Sequence, residues 1–305
     1  MATQFIPAED FDHLSSEDPI PALTRVLTEI WDDSFDALNH SDLESMTRLY
    51  EDFLFDVAPR IFTEILPRLS EEDTRVKQFY QSEGGALIFM DGMSIREMFP
   101  IARELEDQGM EVSCDFSLST TPSSTLYYRK QTLGSENINS IDDVELIRTD
   151  QVDWLGGADE PVRAWCMVPD DFFDQWSKTR KSLGKPDRIY EESLDHLREI
   201  LNNIGHDEVV VTSDHGYILP YAGSTRETPP EIKGLLEDSF ENSREVEVEA
   251  IDSDVLATLK EQSIVVENDG YASVVGRYAW GGGDRPVHGG VSLLETITPY
   301  MVIQK

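Results

Sequence analysis

Ala86-Leu87-Ile88-Phe89-Met90 follows Gly84-Gly85 and runs without a polar residue into Asp91-Gly92. Consecutive apolar residues without alternation, closed at both ends by turn formers, are the pattern of a strand buried on both faces in a parallel sheet. Glu208-Val209-Val210-Val211-Thr212-Ser213 repeats the pattern and stops at Asp214-His215-Gly216. Around these two runs, 95–108 predicts a helix, 111–117 and 162–168 predict strands, and 190–204 predicts an amphipathic helix. Strands alternating with helices define an α/β fold with a doubly wound sheet flanked by helices.

Outward from this centre the pattern changes. Residues 21–38, 41–57 and 58–69 carry apolar side chains at three- and four-residue spacing, as in Leu23, Val26, Leu27 and Ile30. Asn39-His40 reads as a turn, and Ser41-Asp42-Leu43-Glu44 has the spacing of a capping box. The expected organisation is a helical N-terminal segment, 1–80, and a main domain, 81–305. Within the latter, 225–254 is polar and acidic enough to predict a loop or surface excursion. Segments 264–267 and 271–278 read as a hairpin around Asn268-Asp269-Gly270. Gly281-Gly282-Gly283-Asp284 reads as a loop leading to His288, without the spacing of a phosphate-binding fingerprint.

Sixty acidic residues against 25 basic ones give a net charge of −35, distributed along the whole chain. Such a chain repels itself in dilute buffer, and molar salt, with a Debye length of roughly 3 Å, removes that penalty. The composition predicts a cytoplasmic protein of a salt-in halophile, the alternative being an acidic mesophile protein. At molar salt the charge excludes no class of partner. Cys114 and Cys166 sit in strand-like runs and are expected as buried free thiols rather than a disulfide or zinc pair. The chain opens Met1-Ala2-Thr3-Gln4-Phe5-Ile6-Pro7 without a basic and apolar leader. No apolar run approaches the roughly 20 residues that span a bilayer, so a soluble, intracellular protein with no membrane partner is expected.

In open α/β sheets, ligands gather beyond the carboxyl ends of the strands. Asp91 and the pair Asp214-His215 stand there, and a buried carboxylate needs a compensating partner. Carboxylate and imidazole from one tight turn suit zinc or manganese. His288, between Pro286-Val287 and Gly289-Gly290, offers a second imidazole on a chain able to bend around an ion. Taken alone, Asp91 is equally a helix cap, Asp214-His215 equally a turn bonded to backbone, and Thr121-Pro122-Ser123-Ser124-Thr125 a helix start capping a run to Leu133. His13 is read as a bland residue of the acidic N-terminal stretch. His40 is read as a solvated loop residue, and His196 and His206 as an exposed helix face and its terminus.

Four segments occur in the order found in PglZ domains of the alkaline phosphatase superfamily. They are Leu87-Ile88-Phe89-Met90-Asp91-Gly92, Thr121-Pro122-Ser123-Ser124-Thr125, Val211-Thr212-Ser213-Asp214-His215-Gly216, and Val287-His288-Gly289-Gly290-Val291-Ser292 followed by Thr298-Pro299. The chain resembles that family over about 85–305. The resemblance implies an alkaline-phosphatase-like domain with one or two divalent ions, zinc or manganese. It implies Asp91, Asp214 and His215 as ligands of one metal, His288 as a ligand of a second, and Thr125 as nucleophile, with Ser123 and Ser124 as neighbouring alternatives. It further implies a phosphothreonine intermediate cleared by an activated water. The superfamily often supplies the second metal with an Asp followed four residues on by His. Here Asp174 stands with Lys178 at that spacing, while Asp170 and Asp171 are further acids of the same stretch.

The function implied is a metal-dependent phosphoester hydrolase, a phosphodiesterase acting on nucleotides or oligonucleotides. Partner proteins of a phage-defence or signalling system are expected with it. The competing reading, favoured by Lys178, is a metal-binding scaffold component of such a complex with low activity. A sulfatase is disfavoured, because Thr121–Thr125 lacks the Cys/Ser-x-Pro-x-Arg run that supplies its nucleophile.

Overall fold

A computed structural model describes residue 14 and residues 18–34, 39–82, 84–141, 143–148, 152–173, 186–220, 223–241, 243–280 and 285–305. His13, Asp174, Lys178 and residues 281–284, expected as a loop, lie outside these. Nine strands are described: β1 Ala86–Met90, β2 Glu111–Leu118, β3 Glu145–Ile147, β4 Val162–Cys166, β5 Glu208–Thr212, β6 Glu245–Glu247, β7 Val265–Asn268, β8 Tyr271–Val274 and β9 Ile297–Gln304. The chain divides into two compact units, one of residues 1–72 with 218–296, the other of residues 73–217 with 297–305. The prefix up to Glu72 is thus grouped with 218–296.

The second unit is a mixed α/β domain built on a six-stranded sheet in the order β2-β9-β5-β1-β4-β3. β1 pairs parallel with β4 and β5, and β3 parallel with β4. β9 runs antiparallel between β2 and β5. The sequence follows this layout. Central β1 and β4 are buried at every residue, whereas edge strand β2 alternates between exposed and half-buried positions from Glu111 to Phe116 before Ser117 is buried. Two elements had no counterpart in the sequence reading, the short edge strand β3 and β9. Pro299 argues against a paired strand, yet it stands opposite Phe116 with its carbonyl accepting from the Thr212 hydroxyl at 2.8 Å. The domain core joins Leu87, Phe89, Tyr128, Trp165 and Val210.

Helices follow the strands. Ile95–Asp107 begins with a reciprocal capping box, Ser94 with Glu97. Thr125–Leu133 ends at Gly134, whose φ of 81° is the left-handed C-terminal stop. Pro186–Asn202 is the third long helix of this unit.

The other unit holds the helices Ile20–Thr28 and His40–Val57 and a three-stranded sheet, β6-β8-β7. The cap of His40–Val57 is Asn39, accepting from Asp42 N, and not Ser41. The expected hairpin is present as β7 and β8, with Asp269 and Gly270 both at positive φ, 44° and 83°. The expected loop at 225–254 is instead a helix, Pro230–Phe240, then β6. Ile232, Leu236 and Phe240, four residues apart, are its buried stripe. Acidic neighbours masked that period. Buried here too are Glu44, Glu51, Arg244, Arg277 and Glu295, with Arg277 bonded to Glu44 and Arg244 to Glu295 at 2.8 Å. No helix among the described residues is long and apolar enough to cross a membrane.

Candidate metal centre and nucleophile

Asp91 leaves β1 with its backbone still held. Its N–H donates to Cys166 O at 2.8 Å and its carbonyl accepts from Asp170 N at 3.0 Å. Its side chain is buried, with the two oxygens facing different partners. Oδ2 accepts from Trp165 Nε1 at 2.7 Å and Arg129 Nη2 at 3.1 Å. Oδ1 lies 3.2 Å from Thr125 Oγ1 and 3.8 Å from His215 Nε2.

The turn after β5 delivers Asp214 and His215, both fully buried. Asp214 Oδ1 accepts from Gly92 N at 3.0 Å, while Oδ2 receives no hydrogen bond among the described residues. Gly92 sits at φ 75°, a conformation that favours glycine. A Cβ there would meet Asp170 and Phe173 at 3.3 Å and His215 at 3.5 Å. His215 Nδ1 lies 2.9 Å from the Gly216 carbonyl, which only accepts, so Nδ1 carries the proton. In the neutral imidazole Nε2 then carries the lone pair, 2.9 Å from Thr125 Oγ1 and 3.5 Å from Asp214 Oδ2. Thr125 is the first residue of its helix, where unpaired N–H groups welcome an anion.

Burial, reinforced by the charges of Asp214 and Asp170, pushes the Asp91 pKa well above the usual carboxylate range. For His215 burial alone lowers the pKa, but Asp214, Asp91 and Asp170 outweigh it and the result is raised. Both shifts share a cause. Asp91, Asp214 and the half-buried Asp170 crowd together with one buried guanidinium, Arg129, beside them. Uncompensated buried charge is costly, so a further cation at this cluster is favoured. One ligand atom each from Asp91, Asp214 and His215 lies within 4.8 Å of the others. With a buried Asp214 oxygen that lacks a donor among the described residues and the imidazole nitrogen Nε2 beside it, the set fits a divalent cation such as zinc or manganese.

The structure therefore brings Asp91, Thr125, Asp214 and His215 together in one unit. His288 belongs to the other unit, half-buried, directly after Val287, whose backbone bridges Ile218. Ser124 is the helix N-cap residue and Ser123 is buried before it. Of the acids in the 170–174 stretch, Asp170 acts on the site through its charge on Asp91 and His215. The expectation of exposed His196 and His206 is corrected. Both are buried, with ring nitrogens 2.9 Å from Glu192 O and 2.8 Å from Glu160 O. Cys166 is a buried free thiol pushed up to about 12 by burial, whereas Cys114, on edge strand β2, is in no disulfide and only half-buried. Trp165 and Arg129 escaped the sequence reading. Trp165 looked like one more apolar strand residue; the signal for Arg129 was its place one helical turn after Thr125.

No family model matches the chain, and no curated protein is similar to it. Among solved structures, it is similar to phosphonoacetate hydrolase from Sinorhizobium meliloti 1021 in complex with phosphonoacetate, with 15% identity and a TM-score of 0.26. The same enzyme in complex with phosphonoformate gives 16% identity and a TM-score of 0.26. Each match covers 48% of this chain and 46% of that one, so the chain spans less than half of the enzyme's length.

Proposed function

We propose that this chain is a metal-dependent phosphoester hydrolase of the PglZ type, with Thr125 as nucleophile and Asp91, Asp214 and His215 as ligands of a divalent ion. The observation that carries the reading is the convergence of one hydroxyl, two carboxylates and an imidazole at the carboxyl ends of β1 and β5. There Thr125 Oγ1 lies 2.9 Å from His215 Nε2 and 3.2 Å from Asp91 Oδ1. When bound, the ion would supply positive charge that lowers the pKa of a nearby hydroxyl and stabilises charge on the phosphoryl group. With Asp91 Oδ1 and His215 Nε2 committed to the ion, Thr125 Oγ1 would give up its proton to solvent and attack phosphorus, and the bond from phosphorus to the leaving oxygen would break as that oxygen takes up a proton from water. A water then cleaves the phosphothreonine and restores the hydroxyl. The N-terminus of the Thr125 helix supports anion binding.

The finer parts of the reading rest on the motif resemblance. They are a nucleotide or oligonucleotide diester as substrate, partner proteins in defence or signalling, a second ion involving His288 and Asp174, and a cytoplasmic, salt-rich setting. The second reading, a metal-binding scaffold of low activity, is favoured by Arg129 and Trp165, which already occupy one oxygen of Asp91. Hydrolysis of a model diester and monoester in molar KCl with Mn²⁺ separates the two. The enzyme reading expects metal-dependent turnover that is lost in Thr125→Ala and Asp214→Asn. Folded wild type that binds Mn²⁺ without turnover would sink it in favour of the scaffold.

A further inference from the structure

Trp165 is fully buried in β4, stacked on Phe89 at 4.9 Å between ring centroids. A phenylalanine would satisfy that packing. What the indole adds is one N–H, and its acceptor is Asp91 Oδ2 at 2.7 Å rather than a backbone carbonyl. The Arg129 guanidinium, 6% exposed, lies 4.2 Å over the Trp165 ring and donates to the same oxygen at 3.1 Å. It sits four residues beyond Thr125 on one helix, which puts both side chains on the same helical face. Two buried donors therefore converge on Oδ2. The other oxygen, Oδ1, faces Thr125 and His215.

We propose that Trp165 and Arg129 are positioning residues that confine Asp91 to a single ligating oxygen, Oδ1, which also accepts from the Thr125 hydroxyl. The proposal rests on the metal reading above and extends it from which residues bind to how one of them is held. A carboxylate free to turn can offer a metal both oxygens. Here turning Oδ2 toward the ion would leave the buried indole N–H without its acceptor and the buried guanidinium with only Met167 Sδ at 3.7 Å, which is disfavoured. Outer donors of this kind orient metal ligands, and their loss typically weakens metal binding about 10–100-fold. The same restraint keeps Oδ1 within reach of Thr125, so orientation of ligand and nucleophile comes from one clamp.

The test compares wild type, Trp165→Phe and Arg129→Met by Mn²⁺ calorimetry and by the visible absorption of bound Co²⁺. That absorption is more intense for four-coordinate than for five- or six-coordinate ions. Trp165→Phe is expected to bind Mn²⁺ about 10–100-fold more weakly. Both variants are expected to give a less intense Co²⁺ band as Asp91 gains freedom to use both oxygens. A packing role alone would lower thermal stability and leave the band unchanged. If Trp165→Phe does not fold, Arg129→Met carries the spectral test. Wild-type Co²⁺ spectra in the folded variants overturn the proposal and leave the metal reading standing. Wild type that binds neither ion overturns both.

Discussion

Glu97 is a carboxyl that the fold prefers to keep neutral. It is 2% exposed, its Oε1 accepts from Tyr217 Oη at 2.6 Å, and its Oε2 accepts from Ser94 N at 2.9 Å. Burial raises its pKa from 4.5 to about 7, against the lowering effect of Arg96 and these hydrogen bonds. In the unfolded chain the group ionises near its ordinary value, so between these two pH values the folded state holds a proton that the unfolded state has lost. Stability from this group is fully present below pH 4.5 and is lost as pH rises through about 7. At 1.36 kcal/mol for each pKa unit, the loss is about 3 kcal/mol. Glu97→Gln removes the titration while keeping an amide that can pair with Tyr217. Glu51, also raised to about 7 by burial, titrates in the same window. Its contribution cancels when variant and wild type are compared. Urea unfolding from about pH 4 to about pH 8 should show the difference moving by about 3 kcal/mol in favour of Glu97→Gln. Parallel pH profiles for the two proteins would refute the assignment of a buried, neutral Glu97.

Three other outcomes are expected. Gly92→Ala forces a Cβ to within 3.3 Å of Asp170 and Phe173 at a φ of 75°. It should cost about 1–3 kcal/mol and weaken Mn²⁺ binding, read by melting and calorimetry. Arg277→Met takes from Glu44 its buried guanidinium and from Glu51 the stronger of two compensating charges, leaving Arg244. Loss of about 3–5 kcal/mol is expected, seen as a lower urea midpoint. With a net charge of −35, raising KCl from about 0.1 to about 1 M, which shortens the Debye length from about 10 to about 3 Å, should raise the melting temperature.

The buried strands β1 and β5 were legible because a run such as Val209-Val210-Val211 has one physical use, burial on both faces. The acids that close them were legible as candidates because strand ends in open sheets are where ligands collect. What escaped did so for local reasons. β9 carries Pro299, whose missing N–H spoke against a central strand. The helix Pro230–Phe240 shows its apolar stripe at Ile232, Leu235, Leu236 and Phe240, interrupted by Lys233, Gly234, Glu237 and Asp238 and set in an acidic stretch of sequence. His196 and His206 are buried by tertiary packing that polar neighbours in sequence do not announce. Trp165 lay within the strand expected at 162–168 and is buried there. Its second role depends on where one nitrogen points, and no periodicity carries that information.

The most direct test is the anomalous diffraction of Mn²⁺-loaded crystals of wild type and Asp214→Asn. The account predicts a wild-type peak within ligand distance of Asp91 Oδ1, Asp214 Oδ2 and His215 Nε2, and loss of that peak in the variant. A peak held by other residues, or an empty cluster in crystals loaded with saturating Mn²⁺, would contradict it.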